Sequence, residues 1–124
     1  MKFSNIRLSE RTQNIFGRLK GTTGLTPNLL ARYAICLSIK EKSEPSFEEF
    51  GNDKGSMIEP AILFGEYESI FLGLMKNRMK KDSIPDSKLN ETTRLHINRG
   101  AVALSTRIKD IGDFAELINE NRNV

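Results

Sequence analysis

The 124-residue sequence contains no tryptophan, one cysteine and one histidine. A single cysteine excludes an intrachain disulfide, and one cysteine with one histidine is too few ligands for a Cys/His zinc site. Because the lone cysteine, Cys36, lies in an apolar helical run, we expect it to be a small residue of the hydrophobic core. We therefore predict no disulfide and no bound metal ion.

Long apolar runs are also missing. None approaches the roughly 18 residues that a membrane-spanning helix needs, and the first residues do not read as a signal peptide. We therefore expect a cytoplasmic protein that has no membrane partner. The hydrophobic fraction of 38% still permits a core, and the length predicts one domain over residues 1–124.

The chain also lacks the common catalytic motifs, such as a phosphate-binding loop or a nucleophile elbow. Its acidic pairs, at positions 48–49 and 66–68, have spacings that do not face each other on a helix. The nearest carboxylate to His96 is Glu91, five residues away, so a structural or partly exposed histidine is favoured over a general base. We predict that the protein is not an enzyme and has no catalytic residue and no cofactor.

Charge, in contrast, is abundant and segregated along the chain. Residues 1–42 carry eight basic and two acidic side chains, a net charge of +6. Residues 43–70 carry one and seven, a net charge of −6, and residues 71–109 carry nine and three, again +6. If the two basic blocks meet in the fold, they form a polarised surface that attracts polyanions; the alternative is a pair of solvated helix faces.

The N-terminal pattern begins with loose apolar alternation over residues 1–8, which indicates a short strand. Ser9 is a good N-cap for the basic helix that follows, since its hydroxyl can accept from an orphan amide. Gly21 is well placed to end that helix, and the loop to Gly24 follows.

A second helix opens on Thr26 and Pro27, a cap and first-turn pair that strongly predicts a helix start. Apolar residues cover so much of its circumference that it must lie in the core or in an oligomer interface. Strand, helix, tight loop and helix, all rich in cations, is typical of a ribbon-helix-helix DNA-binding unit over residues 1–42.

The remainder of the chain, residues 56–118, is predicted to be helical. It is reached through an acidic connection, residues 43–55, that we expect to be anchored by Phe47 or Phe50. Residues 56–64 are extended or form a short helical turn, and a later helix is expected to break near residues 98–100. The predicted fold is mainly α: a compact helical domain with a ribbon-helix-helix-like N-terminal part and further C-terminal helices.

Three stretches resemble the DndE family of DNA sulfur modification proteins. They are IRLSERTQNIFGRLKGTTGLTPNLLARYAICLSI, LFGEYESIFLGLM and LHINRGAVAL, at residues 6–39, 63–75 and 95–104. They occur in the family's order and cover most of the chain. The resemblance implies a mostly helical subunit without catalytic machinery, acting in bacterial DNA phosphorothioation, in which sulfur replaces a backbone oxygen.

The resemblance also implies partners. The family forms homo-oligomers, as tetramers, and binds double-stranded DNA with a preference for nicked sites. It works beside other phosphorothioation proteins, which supply the cysteine desulfurase, iron–sulfur and ATPase chemistry. The family's GTTG-type loop matches residues 21–24, so the resemblance gives Gly21 and Gly24 a role in subunit packing.

Candidate DNA contacts rest on charge, because no family motif identifies them. A protein that recognises a nick can hold phosphates with Lys and Arg and need not read bases. Strand alternation would also place Lys2 and Arg7 on opposite faces, so they could not both read bases. The residues predicted to bind DNA are Arg18, Lys20, Lys76, Arg78, Lys80 and Lys81, followed by Lys2 and Arg7.

Three other functions stay open from the sequence. A ribbon-helix-helix transcriptional repressor fits the opening segment alone, although the domain continues for some eighty residues. An assembly scaffold would use the basic blocks to dock acidic protein surfaces. A metal-dependent nuclease is the most distant alternative, because it needs spaced acids that converge in a cleft.

Overall fold

The fold is mainly helical, which confirms the predicted class. The computed structural model describes residues 1–109 and 111–122. In chain order its elements are β1 (Ile6–Arg7), α1 (Glu10–Thr23), α2 (Pro27–Lys40), α3 (Phe47–Phe50), β2 (Met57–Ile58), α4 (Pro60–Phe64), α5 (Glu68–Lys81), α6 (Leu89–Arg107) and α7 (Ile111–Arg122). Short 3-10 turns at Gly65–Tyr67 and Asp86–Lys88 precede α5 and α6.

Helices α2 and α6 form the centre of the domain and pack closely along their length. At Gly100 a β-carbon would lie 1.8 Å from the carbonyl oxygen of Ala34, so only glycine allows this approach. The predicted break near residues 98–100 is wrong, because α6 continues through them from Leu89 to Arg107. The glycine serves the packing of two helices and does not interrupt one.

The core is built from the inward faces of the helices and from the N-terminal segment. Phe64, at the end of α4, packs against a tilted Phe3 ring and stacks on Phe71, with ring centroids 4.5 and 5.0 Å away. Fully buried side chains contributed by β1, α1, α2 and α6 include Ile6, Phe16, Leu19, Leu30, Ile35, Ile97 and Leu104. Along the described part of the chain, no helix is both long and apolar enough to cross a lipid bilayer.

Strand β1 pairs with β2 of the same chain, in an antiparallel register that places Ile6 opposite Ile58. Side chains of α6 also form hydrogen bonds to the backbone at the end of β1 and just after it. The carbonyl of Arg7 accepts from Arg94 Nε at 2.7 Å, and the N–H of Ser9 donates to Asn98 Oδ1 at 3.2 Å. Since a ribbon-helix-helix ribbon pairs one strand from each of two subunits, this strand does not provide such a ribbon.

The helix ends agree with the sequence in part. Ser9 caps α1 as predicted, accepting from the Thr12 N–H at 2.9 Å. Thr26 occupies the cap position of α2, but its hydroxyl bonds the Asn28 side chain and not a backbone amide. The predicted end at Gly21 is wrong: α1 continues to Thr23, and Gly24 ends it with a left-handed φ of 77°.

The structure also tests three further expectations, which concern the acidic connection, residues 56–64 and Cys36. Phe50 anchors the acidic connection, whereas Phe47 is 59% exposed. Residues 56–64 hold both the short strand β2 and the helix α4. Cys36 is exposed on α2, so its predicted place in the core is wrong.

Candidate nucleic-acid interface

Exposed lysines gather where α2 and α5 end. Lys76, Lys80 and Lys81 lie on the second half of α5 and are exposed. Lys40 and Lys42, at the end of α2, are exposed too. We call these five residues the α2–α5 basic end. It combines cations from the two basic blocks of the sequence, which therefore meet in the fold.

Arg78 is the buried residue that joins these helix ends. Its side chain lies on α5 and is 4% exposed. The guanidinium donates at 2.6–3.1 Å to four backbone carbonyls at the end of α2 and just after it, those of Ile39, Glu41, Lys42 and Ser43. Arg78 Nε also donates to Asp82 Oδ2 at 2.8 Å. All five N–H donors of Arg78 are thus used within the subunit, and in this fold it is not one of the exposed cations. Its contact with DNA stays a prediction.

A second buried arginine, Arg99 on α6, supports the same junction. Its Nε and Nη2 donate to Ser38 Oγ and to the Ser38 carbonyl, both at 2.8 Å. Nη1 donates to the Ser43 carbonyl at 2.8 Å, and Glu41 Oε2 lies 3.0 Å from Nε. Burial lowers the pKa of Arg99, although Glu41 opposes that shift. We call Arg78, Arg99 and their partners the arginine junction.

His96 lies inside the arginine junction and is fully buried. Its Nδ1 is 2.7 Å from Ser38 Oγ. Arg99 Nε donates to the same hydroxyl oxygen, so Ser38 Oγ links the imidazole to the guanidinium. Burial first, and then the charges of Arg99 and Arg78, lower the pKa of His96 to about 4. The imidazole is therefore neutral and out of reach of a surface ligand.

The other predicted cations are exposed but lie on other elements. Arg7, on β1, donates to the Gly55 carbonyl at 3.1 Å. Arg18, on α1, donates to Ser105 Oγ at 3.0 Å, which holds it against the second half of α6. Lys2 and Lys20 are exposed on the N-terminal segment and on α1. Within one subunit these four cations are thus not part of the α2–α5 basic end.

The glycines assigned to subunit packing face open space. A β-carbon on Gly21 or Gly24 would meet no other heavy atom within 4 Å. Gly24 needs its positive φ to end α1, whereas Gly21 lies inside the helix, where glycine costs about 1 kcal/mol relative to alanine. Nothing within the subunit therefore accounts for a glycine at position 21.

Sequence reasoning missed the arginine junction. Its only signal was the pair His96 and Arg99, one turn apart in a helix whose neighbouring positions, such as Ile97 and Ala101, are apolar. No cluster of three His, Cys, Asp or Glu that might hold a metal ion occurs within residues 1–109 and 111–122.

Comparison with known proteins agrees with the fold. Residues 5–110 match the family model described as DNA sulphur modification protein DndE. The crystal structure of DndE from Escherichia coli B7A, involved in DNA phosphorothioation modification, superposes with a TM-score of 0.70 at 25% identity. The alignment covers 84% of this chain and 98% of that one.

A crystal structure of a DndE G21/24K mutant, also involved in DNA phosphorothioation, gives a TM-score of 0.68 at 23% identity. It covers 84% of this chain and 99% of that chain. No curated protein matches the sequence. Because the family match takes in most of the chain, including all three stretches that carry the resemblance, the protein belongs to the DndE family of DNA sulphur modification proteins.

Proposed function

We propose that the protein is a non-catalytic accessory of DNA phosphorothioation in the cytoplasm. It binds double-stranded DNA, preferentially at nicks, as a homotetramer that works beside the other proteins of the modification system. The observation that carries this proposal is the DndE match over residues 5–110. The exposed cations supply the physical means, and the chemistry of sulfur transfer belongs to the partner proteins.

The α2–α5 basic end supports binding through phosphates. Lys76, Lys80 and Lys81 have no ion-pair partner among the residues that the structure describes, so their charge is available to a polyanion. Contacts of this kind give an affinity that depends strongly on salt and little on sequence. A nick suits such a surface, because an interrupted duplex bends at low energetic cost and brings more phosphates within reach.

A homo-oligomer makes the proposed binding effective. One subunit offers Lys2, Arg7, Arg18 and Lys20 on elements separate from the α2–α5 basic end. A symmetric assembly repeats each group and holds several on one duplex, so linked weak contacts gain from effective concentration. The open side of Gly21 and its neighbour Gly24 provide a place where another backbone can approach α1 closely.

Mobility-shift titrations on matched intact and nicked duplexes test the proposal. We expect tighter binding to the nicked duplex and a steep loss of affinity as salt is raised. Equal and negligible binding to both duplexes would refute DNA binding. A pull-down of other modification proteins that survives nuclease treatment, with no shift of either duplex, would instead favour the assembly scaffold.

A further inference from the structure

The acidic connection lies beside the second half of α6 and leaves a cleft of about 380 Å³ between them. On the α6 side the cleft is lined by Val102 and Ala103, which are half-buried. On the side of the connection it is lined by Glu44, Ser46 and Glu49, which are exposed. We call the space between these five residues the α3–α6 cleft. None of the lysines of the α2–α5 basic end lines it.

The connection is held in place at both ends of the α3–α6 cleft. The Ser43 carbonyl accepts from Arg99 Nη1 at 2.8 Å. Asn98 Nδ2 donates to the carbonyls of Phe50 and Asn52, at 2.7 and 3.3 Å, and the Phe50 side chain is buried. The cleft is therefore formed before any ligand enters it, which lowers the entropic cost of binding.

The charge around the α3–α6 cleft is negative. Three carboxylates, those of Glu41, Glu44 and Glu49, and the guanidinium of Arg99 line it, a net charge of −2. Arg99 already pairs with Glu41 at 3.0 Å. Glu44 and Glu49 form no ion pair with any residue in the described part of the chain. Carboxylates repel phosphates, so this part of the subunit suits a cation and not DNA.

The two sides of the α3–α6 cleft require different chemistry from one ligand. Val102 and Ala103 offer apolar surface, whereas Glu44 and Glu49 offer negative charge. A lysine or arginine side chain satisfies both, because its aliphatic stem packs on apolar atoms while its charged head meets carboxylates. Arginine fits better than lysine, since its planar fork of donors can bond two carboxylates at once.

Phe47, the first residue of α3, adds an exposed aromatic ring directly after Ser46. Its side chain is 59% exposed, although the ring lies against Gly51. A β-carbon at Gly51 would lie 2.9 Å from two atoms of the ring, so the glycine permits this position. The face of an aromatic ring attracts cations, arginine more often than lysine. Exposed aromatic residues of this kind are also common anchors of protein interfaces.

We propose that the α3–α6 cleft binds an arginine or lysine side chain from a basic segment of a partner protein. This inference rests on the protein partners of the proposed function and is independent of its DNA binding. It gives the subunit two surfaces of opposite charge with different tasks. The exposed lysines meet phosphates, and the acidic connection meets a cationic protein segment.

Fluorescence anisotropy with the full-length chain and no DNA tests the assignment. The probe is a short fluorescein-labelled peptide of alternating arginine and alanine. Its control is the same peptide with citrulline, the uncharged analogue of arginine, at every arginine position. We expect the arginine peptide to bind and the citrulline peptide to bind at least about tenfold more weakly, because only the first carries charge.

Two pairs of substitutions with equal loss of charge locate the site. Glu44→Gln with Glu49→Gln should weaken binding of the arginine peptide by about tenfold. Glu59→Gln with Glu66→Gln, at exposed positions outside the cleft, is the matched control and should stay within about twofold of wild type, because solvent screens distant charges. Circular dichroism confirms that each variant is folded.

A variant that fills the cleft gives an independent check. Ala103→Arg places an arginine of the chain itself beside the two carboxylates, so it should abolish binding of the peptide. Ser69→Arg adds the same charge at an exposed position on α5 and should leave the affinity within about twofold of wild type.

The outcomes separate this inference from the proposed DNA binding. A wild-type chain that does not bind the arginine peptide, or binds the citrulline peptide equally well, would overturn the inference and leave binding to nicked duplex standing. Equal losses in the two pairs of variants would also overturn it, since net charge alone would then attract the peptide. A lower sedimentation mass of the Glu44→Gln, Glu49→Gln variant would overturn it as well, because the occupant would then be a second copy of this chain.

Discussion

The run from Lys76 to Lys81 contains four cations, and they divide into two kinds. Lys76, Lys80 and Lys81 are exposed, whereas Arg78 is 4% exposed and donates only to atoms of its own chain. For Lys76 and Lys80 the difference follows from helix geometry, because positions 76 and 80 share a face while position 78 points to the opposite side. Lys81 lies in the last turn of α5, where the helix ends. It also follows from chemistry, since only arginine has a fork of donors that can satisfy several carbonyls at once.

The comparison shows that neighbouring cations in one basic run have different structural roles. The buried arginine holds the ends of α2 and α5 together, and this places the lysines of both helices at one end of the subunit. Counting charge along the sequence does not distinguish the buried Arg78 from the exposed lysines beside it. The most informative experiments therefore compare substitutions within the run from Lys76 to Lys81. They ask whether each substitution lowers stability or weakens DNA binding.

The largest expected effect is on stability, from Arg78→Ala. The change leaves Asp82, with a side chain 9% exposed, as an uncompensated buried carboxylate. It also removes the Arg78 donor from the carbonyls of Ile39, Glu41 and Lys42, whereas the Ser43 carbonyl keeps Arg99. We expect the free energy of unfolding to fall by about 3–5 kcal/mol. Urea denaturation followed by circular dichroism measures the change. Lys80→Ala is the control and should stay within about 0.5 kcal/mol of wild type. An Arg78→Ala protein as stable as that control would break the distinction between the two kinds of cation.

The next effect is a dependence of stability on pH that comes from His96. Its pKa is lowered from 6.5 to about 4 in the folded protein. Between these values the unfolded chain binds a proton that the folded chain does not, so stability falls as the pH falls. The contribution is fully present above pH 6.5 and is lost by about pH 4, a change on the order of 3 kcal/mol.

Proton NMR checks this directly, because His96 is the only histidine. We expect its ring resonances to stay in the neutral form down to pH 5 in the folded protein. In urea the same resonances should titrate near 6.5, which is the internal control. A folded-state midpoint near 6.5 would show that the imidazole reaches solvent and that the arginine junction is open.

A binding effect without a stability effect is expected from the exposed lysines. Replacing Lys76, Lys80 and Lys81 together with glutamine should weaken binding to nicked duplex by on the order of tenfold. The slope of log affinity against log salt should fall by up to about 3 for each subunit in contact. The thermal midpoint should not change, because none of these side chains is buried.

The matched control is a second triple variant with the same loss of charge. It replaces Lys54, Lys88 and Lys109, which are exposed outside the α2–α5 basic end, with glutamine. We expect its affinity and salt slope to stay near those of wild type. Equal losses in the two triple variants would mean that net charge alone, and not the α2–α5 basic end, attracts the DNA.

The sequence predicts the local features of this molecule and misses the distant ones. The Ser9 cap needs only its own helix turn, and the mainly α class follows from apolar periodicity. The burial of Arg78 depends on carbonyls 35–39 residues away, and the close approach at Gly100 depends on Ala34. Apolar periodicity along the sequence does not indicate contacts between residues so far apart in the chain.

Cys36 is instructive for another reason. An apolar stripe wider than one core face predicts either burial or an oligomer interface, and the periodicity cannot choose between them. Cys36 is exposed in the single subunit, although Leu30, Ala34 and Ile35 of the same helix are fully buried. Sequence reasoning identified the wide apolar pattern of this helix correctly and placed one of its residues, Cys36, wrongly in the core.

The smallest expected change in stability comes from a substitution beside Arg99, the second buried arginine. Glu41 is 52% exposed in its pair with Arg99, so solvent screens the attraction between them. Glu41→Gln should lower the free energy of unfolding by less than about 1 kcal/mol, because Arg99 keeps its bonds to Ser38 and Ser43. Urea denaturation beside the Arg78→Ala series measures it. A fall in the free energy of unfolding of more than about 2 kcal/mol would mean that the Glu41 carboxylate, and not Ser38 and Ser43, holds Arg99 in place.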